Sequence, residues 1–182
     1  MPHPPEGSVT QPEKKSRRFE KIKFLYVDDE PDNLEAFRLN YDHEFEILTT
    51  VDPEEAMEWV RREEDLGVLL VDQVMPKMTG LELATETKRL RPTVTCVMIT
   101  GNATKQLAIE SIRQRVFHEF LEKPVSFVSK EIRQLFINCL QEHLLEKVKL
   151  EYHQGNRFLL SLLLRLCFLP HFFPQLSCFL QT

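Results

Sequence analysis

The chain has few cysteines, no excess of basic residues and no apolar run of membrane-spanning length. Its 4 cysteines form neither a CxxC pair nor the spacing of metal ligands, so we expect reduced thiols in a cytoplasmic protein. The 23 Lys and Arg residues are outnumbered by 28 Asp and Glu residues, and the formal net charge of -5 argues against direct nucleic-acid binding. The apolar stretch from Phe158 to Leu169 contains Arg165, whereas a spanning helix needs about 20 apolar residues.

The two ends of the chain differ in composition from its middle. Residues 1–20 contain prolines, polar residues and a basic cluster but no apolar core of a secretory signal, and we interpret them as a flexible leader. Residues 157–182 form an apolar tail, for which contact with a membrane surface and binding of a partner both stay open. Between these ends we expect one folded domain at 21–142 and a helical extension at 143–156.

Short β-rich runs alternate with amphipathic stretches through the folded domain. The predicted strands lie at residues 24–27, 45–49, 67–72, 94–99 and 118–122, and the predicted helices follow Pro31 or lie at 52–64, 79–90, 104–114 and from about 127 onward. Asp52 is the predicted N-cap of the second helix, and Glu55 has the spacing of a capping box. Strict alternation of strands and helices predicts a doubly wound α/β fold, with a parallel sheet and helices on both faces.

Four of the apolar runs end in polar residues of complementary chemistry. Asp28 and Asp29 end the first, Asp72 ends the third, Thr100 ends the fourth, and Lys123 with Pro124 ends the fifth. The carboxyl ends of parallel strands meet at one edge of the sheet, so we expect these side chains to converge there. Three carboxylates beside one ammonium suit a divalent cation and a phosphoryl group.

The motifs YVDDEPDNL, LLVDQVMPKMTGLEL, MITG and FLEKP, in this order, resemble the phosphoacceptor receiver domain of bacterial two-component response regulators. The resemblance implies a flavodoxin-like five-stranded parallel sheet of strand order 2-1-3-4-5 with an extended C-terminal helix. It also implies that Asp72 takes a phosphoryl group from the phosphohistidine of a sensor histidine kinase or a phosphotransfer protein and forms an aspartyl phosphate. No separate catalytic domain is expected.

The resemblance implies a magnesium site among the same residues. Asp29 and Asp72 would ligate Mg²⁺ directly, Asp28 would act through water, and the backbone carbonyl of Val74 would be a further ligand. Mg²⁺ in proteins is usually held by one or two carboxylates together with waters and phosphate oxygens. The expected donor set therefore agrees with the preference of this ion.

The resemblance also assigns residues to phosphoryl binding and to the conformational switch. Lys123 would offset charge on the phosphoryl oxygens, and Thr100 would donate its hydroxyl to one of them. Many receivers carry a tyrosine three residues before the lysine, where this chain has Phe120, which lacks a hydroxyl to hydrogen-bond. Val116 and Phe117 replace the small pair often found just upstream, so we expect a bulkier loop and an altered switch.

Two residues near the mouth of the expected site bear on how long a phosphoryl group survives. By the resemblance these are Val74 and Asn102, and the apolar Val74 side chain would not orient an attacking water. We therefore expect a long-lived phosphoryl group. Val74 also disfavours a metal-dependent phosphatase, which typically carries a second acid at this position.

The last predicted helix continues beyond the domain. Its apolar residues recur at helical spacing, namely Ile132, Leu135, Phe136, Cys139, Leu140, Leu144 and Val148. The functional interpretation is a signalling helix that pairs with a second copy of the chain or leads to an output domain, and the alternative is a solvated surface helix. Because no DNA-binding or catalytic domain fits in the remaining residues, we expect a shortened form of a longer regulator.

An interaction module with the same fold but without phosphorylation is the alternative function. Such a module needs no complete acidic set, so Asp28, Asp29, Asp72 and Lys123 argue against it.

Overall fold

A computed structural model of the chain describes residues 22–101 and 116–153. This part contains five strands and four helices. In chain order they are β1 (Lys23–Val27), α1 (Pro31–Tyr41), β2 (Glu46–Thr50), α2 (Pro53–Arg62), β3 (Leu66–Asp72), α3 (Gly80–Leu90), β4 (Thr95–Thr100), β5 (Glu119–Glu122) and α4 (Lys130–His153). The predicted leader, the helix predicted at 104–114 and the apolar tail lie outside the described residues.

The five strands form one parallel sheet in the order β2-β1-β3-β4-β5. This confirms the predicted doubly wound fold and its strand order. The carboxyl ends of the central strands are level, because Asp72 is paired with Ile99 and Thr100 with Glu122. Side chains that follow these strands therefore emerge at one edge.

Helices cover both faces of the sheet, as the alternation predicted. Leu25 and Val27 of β1 belong to the core under α2 and α3, whereas Phe24 and Tyr26 point to the opposite face, under α1 and α4. The second face is unusually rich in aromatic rings, with Phe37 at its centre. Full burial of one such side chain contributes roughly 1.5–3 kcal/mol.

The predicted N-cap of α2 is confirmed, but the predicted capping box at its start is wrong. The Asp52 carboxylate accepts a hydrogen bond from the backbone N–H of Glu54 at 3.0 Å. The Glu55 carboxylate accepts from the Thr50 hydroxyl instead, and that hydroxyl oxygen takes the Asp52 N–H. Thr50, at the end of β2, thus takes both groups that the capping box would pair, the Glu55 carboxylate and the Asp52 N–H.

A capping box does form at α3. The side chain of Thr79 accepts from the backbone N–H of Glu82, and the Glu82 carboxylate accepts from the Thr79 N–H. This start places α3 directly after the loop that follows Asp72.

Helix α4 begins at Lys130, later than predicted. The Ser129 hydroxyl oxygen accepts a hydrogen bond from the Ile132 N–H and so caps the start of the helix. The helix runs without a break past residue 142, where the sequence analysis divides the chain. His143 is buried, and its Nδ1 lies 2.8 Å from the Thr93 carbonyl oxygen. Burial lowers the pKa of His143, so the ring stays neutral and donates this N–H. Packing therefore continues beyond the predicted boundary.

No helix in the described ranges has the length and hydropathy that crossing a bilayer requires.

Replacing Gly80 with alanine is expected to destabilise the fold. A Cβ at this position would overlap the main-chain carbonyl oxygen of Asp72, which cannot rotate away as a side chain can. Overpacking of this kind costs about 2 kcal/mol. Urea unfolding of Gly80→Ala should show this loss in the free energy of unfolding.

Gly101→Ala is the matched control, because a Cβ there meets no atom within 4 Å in the described structure. Its free energy of unfolding should stay within about 0.5 kcal/mol of the parent. Equal stability of the two variants would contradict the close approach at Gly80.

Candidate functional site

Three carboxylates meet at the carboxyl edge of the sheet, as the sequence predicted. Asp28 and Asp29 directly follow β1, and Asp72 is the last residue of β3. Each offers an oxygen that lies within 4.8 Å of the other two. Asp28 is fully buried and Asp72 nearly so, whereas Asp29 is exposed. Such a concentration of negative charge raises the pKa of a carboxylate or attracts a cation.

Lys123 supplies a positive charge between two of the acids. Its Nζ lies 3.2 Å from Asp28 Oδ2 and 3.2 Å from Asp72 Oδ1, and a third acid, Glu30, lies 3.3 Å away. The backbone of Lys123 is held at the sheet edge, because its N–H donates to the Thr100 carbonyl oxygen at 3.0 Å. The ammonium therefore sits at a fixed place among the carboxylates.

Burial and charge shift the pKa values of this pair. Burial raises the pKa of Asp72 above its ordinary value, and the nearby Lys123 only partly opposes that effect. For Lys123, burial lowers the pKa, but the carboxylates of Asp28 and Asp72 outweigh it and the net pKa is raised. Lys123 therefore stays protonated at neutral pH, and Asp72 is a more basic carboxylate than an exposed aspartate.

Asp28 is held by hydrogen bonds that the sequence analysis missed. The Tyr26 hydroxyl donates to its Oδ2 at 2.7 Å, the Glu30 N–H donates to its Oδ1 at 3.0 Å, and Asn33 Nδ2 lies 3.1 Å from both oxygens. Tyr26 could have been found, because residues two apart in a strand share a face and its hydroxyl is the one polar tip of an apolar run. The position of Asn33, in the first turn of α1, is a weaker signal.

The loop after Asp72 is held at two points. The N–H of Val74 donates to Asp72 Oδ2 at 3.2 Å, while the Val74 side chain is 74% exposed. Lys77 adopts the left-handed backbone region with φ 69°, which costs a residue with a Cβ about 1 kcal/mol. Its Nζ contacts the carboxylates of Asp52 and Glu54 at 3.3 and 3.0 Å and so ties the loop to the start of α2.

The structure places the two predicted switch residues on neighbouring strands. Thr100 is buried at the end of β4, and Phe120 is half-buried in β5, opposite Met98 in the strand register. The Phe120 ring lies 5.4 Å from that of Phe117, which is itself buried in the core under α2 and α3. The bulky pair before β5 thus packs inward. Asn102 lies outside the described residues.

The residues present fit a magnesium ion. Carboxylate oxygens are the ligands that this ion prefers. Asp29 is exposed, and within the described residues its carboxylate has no hydrogen-bond or ion-pair partner, so it is open to a ligand. The Asp28 oxygens, in contrast, are already engaged by donors. Asp29 and Asp72 are therefore the acids best placed to hold a cation directly.

Comparison with known proteins agrees with the geometry. The hydrogenase transcriptional regulatory protein HoxA of Cupriavidus necator is 31% identical over 100 residues, which are 55% of this chain and 20% of that regulator. A crystal structure of adenylate cyclase from Rhodopirellula baltica has a TM-score of 0.68 at 25% identity, over 74% of this chain and 98% of that one. A CheY-like receiver domain protein from Methanospirillum hungatei has a TM-score of 0.62 at 23% identity, over 68% and 97% of the two chains.

The chain thus spans about a fifth of the length of the curated regulator, while it covers nearly all of each similar solved chain. The family model for the response regulator receiver domain matches residues 24–136, which is more than half of the chain and includes every strand of the sheet except the first residue of β1. The acids at the ends of β1 and β3 and the lysine after β5 lie within this match. The chain belongs to the response regulator receiver domain family of two-component systems.

Proposed function

We propose that this chain is a phosphorylation-driven signalling switch. Asp72 accepts a phosphoryl group from the phosphohistidine of a sensor histidine kinase or a phosphotransfer protein. The observation that carries the proposal is the position of Lys123 Nζ, 3.2 Å from both Asp28 and Asp72, beside three carboxylates whose oxygens lie within 4.8 Å of one another. Transfer of a phosphoryl group needs a nucleophile and a positive charge near the phosphoryl oxygens, and Asp72 and Lys123 supply these at this edge of the sheet.

In the proposed reaction an oxygen of Asp72 attacks the phosphorus atom of the phosphohistidine. The new O–P bond forms as the P–N bond breaks, and the imidazole nitrogen leaves with the electron pair of that bond and takes up a proton from solvent. Lys123 moves its contact from the Asp72 carboxylate to a phosphoryl oxygen, and Thr100 donates its hydroxyl to another. Both residues already lie at the edge where the phosphoryl group would form.

A magnesium ion belongs to the same proposal. When bound, Mg²⁺ offsets the negative charge that builds up on the transferring phosphoryl group. Asp29, Asp72 and the backbone carbonyl of Val74 are the proposed ligands, and Asp28 acts through water. Asp29 supports this assignment because its carboxylate is exposed, while Asp28 is buried.

The proposed output runs through Thr100, Phe120 and α4. Movement of Thr100 toward a phosphoryl oxygen would leave space at the end of β4, and Phe120, which now packs against Phe117, would move to fill it. The end of α4 carries two exposed apolar side chains, Leu150 and Tyr152, which suit contact with a second copy of the chain or with an output domain. The proposed domain limits stay at 21–142 and 143–156, although α4 crosses residue 142 without a break and His143 packs against the core.

Phosphorylation at Asp72 is tested by incubating the chain with Mg²⁺ and acetyl phosphate and measuring its intact mass. The parent should gain one phosphoryl group, and Asp72→Asn should gain none, because an amide is not a nucleophile of this kind. Asp65→Asn is the matched control, since Asp65 is an exposed acid just before β3, at the opposite end of that strand. It should be phosphorylated like the parent. A parent chain without an adduct would shift the function toward docking without phosphorylation.

Magnesium binding is tested by the midpoint of thermal unfolding. A ligand at about 100 times its dissociation constant stabilises the native state by about 2.7 kcal/mol, so added Mg²⁺ should raise the midpoint of the parent by several degrees. Asp29→Asn removes the open ligand and should lose most of that shift, whereas Asp65→Asn should keep it. An equal Mg²⁺ shift in Asp29→Asn and the parent would rule out Asp29 as a ligand.

The phosphoryl group is expected to be long-lived, because the exposed Val74 side chain at the mouth of the site cannot hydrogen-bond a water. The decay of the phosphorylated mass after removal of acetyl phosphate measures this. Val74→Gln, which adds an amide that can orient water, should shorten the half-life. A parent half-life of seconds at neutral pH with Mg²⁺ would contradict the expectation.

A further inference from the structure

Asp28 is the most heavily hydrogen-bonded acid of the site. Four donor groups reach its carboxylate: the Tyr26 hydroxyl, the Glu30 N–H, the Asn33 amide and the Lys123 ammonium. A carboxylate has about four lone-pair positions. The Glu30 N–H donates to Oδ1, the Tyr26 hydroxyl and the Lys123 ammonium reach Oδ2, and the Asn33 amide lies at equal distance from both oxygens. In this structure the lone pairs of Asp28 are therefore taken by these donors, and the metal-bound water of the proposed function would have to replace one of them.

Two of the four donors are neutral side chains whose own positions are constrained. The Tyr26 ring packs edge-on against Phe37 and Phe127, with centroids 5.4 and 6.1 Å away, which fixes the direction of its hydroxyl. Asn33 lies in the first turn of α1, which begins at Pro31, two residues after Asp29.

Tyr26 also limits how strongly Asp28 holds Lys123. The hydroxyl and the ammonium approach the same oxygen, Oδ2, at 2.7 and 3.2 Å. Without the hydroxyl, the side-chain donors left on Oδ2 would be the Asn33 amide and the Lys123 ammonium. The carboxylate could then turn toward the ammonium and draw it away from Asp72.

We infer that Tyr26 and Asn33 are positioning residues for the metal and phosphoryl site. They fill the lone pairs of Asp28 and hold it in one orientation, so that it contributes charge while Asp29 and Asp72 remain the open ligands. The inference rests on the proposed function, because it assigns these two side chains to the same magnesium site. Partners of residues that ligate a metal directly typically change its affinity by 10- to 100-fold when they are lost. Tyr26 and Asn33 act through Asp28, which does not ligate directly, so we expect the lower end of that range.

The test compares two pairs of matched variants in the full chain. Tyr26→Phe removes the hydroxyl on Asp28, and Tyr41→Phe removes a buried hydroxyl of the same aromatic cluster, which donates to the Phe127 carbonyl oxygen at 2.7 Å. Each substitution deletes one oxygen atom and one buried hydrogen bond. A purely structural role would therefore give both variants the same behaviour.

The second pair lies on α1. Asn33→Ala removes the amide on Asp28, and Asn40→Ala removes an amide that donates to the Ala36 carbonyl oxygen at 2.8 Å. Both asparagines are half-buried on the same helix. This pair keeps the test decisive if Tyr26→Phe fails to fold.

Titration calorimetry with MgCl₂ gives the dissociation constant of each variant, and urea unfolding reports its stability. Tyr26→Phe and Asn33→Ala should weaken Mg²⁺ binding by about tenfold relative to Tyr41→Phe and Asn40→Ala. Mg²⁺ dissociation constants within about twofold of the controls, or tighter binding, would overturn the inference.

Intact mass after treatment with acetyl phosphate separates this inference from the proposed function. A parent that is phosphorylated, with Tyr26→Phe and Asn33→Ala binding Mg²⁺ like their controls, refutes the positioning role and leaves the function standing. If the parent gains no phosphoryl group but Tyr26→Phe and Asn33→Ala bind Mg²⁺ about tenfold more weakly than their controls, the function is refuted and the positioning role is supported. A parent that binds no Mg²⁺ overturns the inference.

Discussion

The contact of one ammonium with two buried carboxylates is the interaction on which the rest of the site depends. Asp28 and Asp72 end neighbouring strands, and the parallel register brings them together whether or not their charges are compensated. Lys123 compensates them from a third strand. Removing the ammonium would leave two buried carboxylates uncompensated, which is strongly destabilising. The same arrangement is therefore a structural requirement and, under the proposed function, a preparation for phosphoryl chemistry.

The surroundings of this group divide into a rigid side and a more adaptable side. Behind Asp28, the aromatic cluster under α1 and α4 fixes Tyr26, and the hydroxyl of Tyr26 fixes the acid. In front of Asp72, the loop is held by exposed ion pairs of Lys77, which contribute little in water. Under the proposed function, one acid stays in place while another changes its covalent state, and this asymmetry suits that division. The exposed Val74 side chain lies on the adaptable side.

Helix α4 connects the buried core to the part of the chain that extends beyond the sheet. Phe136 and Cys139 lie in the aromatic face, and His143 reaches the loop before β4 through the Thr93 carbonyl. Gly67 in β3 leaves room for this ring and for the Ile22 side chain, since a Cβ there would overlap Ile22 and lie 3.0 Å from the ring. The helix is thus anchored for more than half of its length, and its exposed apolar residues, Leu150 and Tyr152, lie near its end.

The sequence by itself determined the fold class and the set of charged residues that meet at the sheet edge, and the resemblance of its motifs to a known family supplied the strand order. Continuous apolar runs decide which segments are buried strands, and the level ends of parallel strands then bring Asp28, Asp72 and Lys123 together. The partners of these residues were decided only by the tertiary structure. Tyr26, Asn33 and the true partner of Glu55 depend on side-chain directions and on competition between nearby donors, and short-range patterns do not encode these. The same holds for the anchoring of His143, because it joins residues 50 positions apart that meet only when the sheet and α4 have packed.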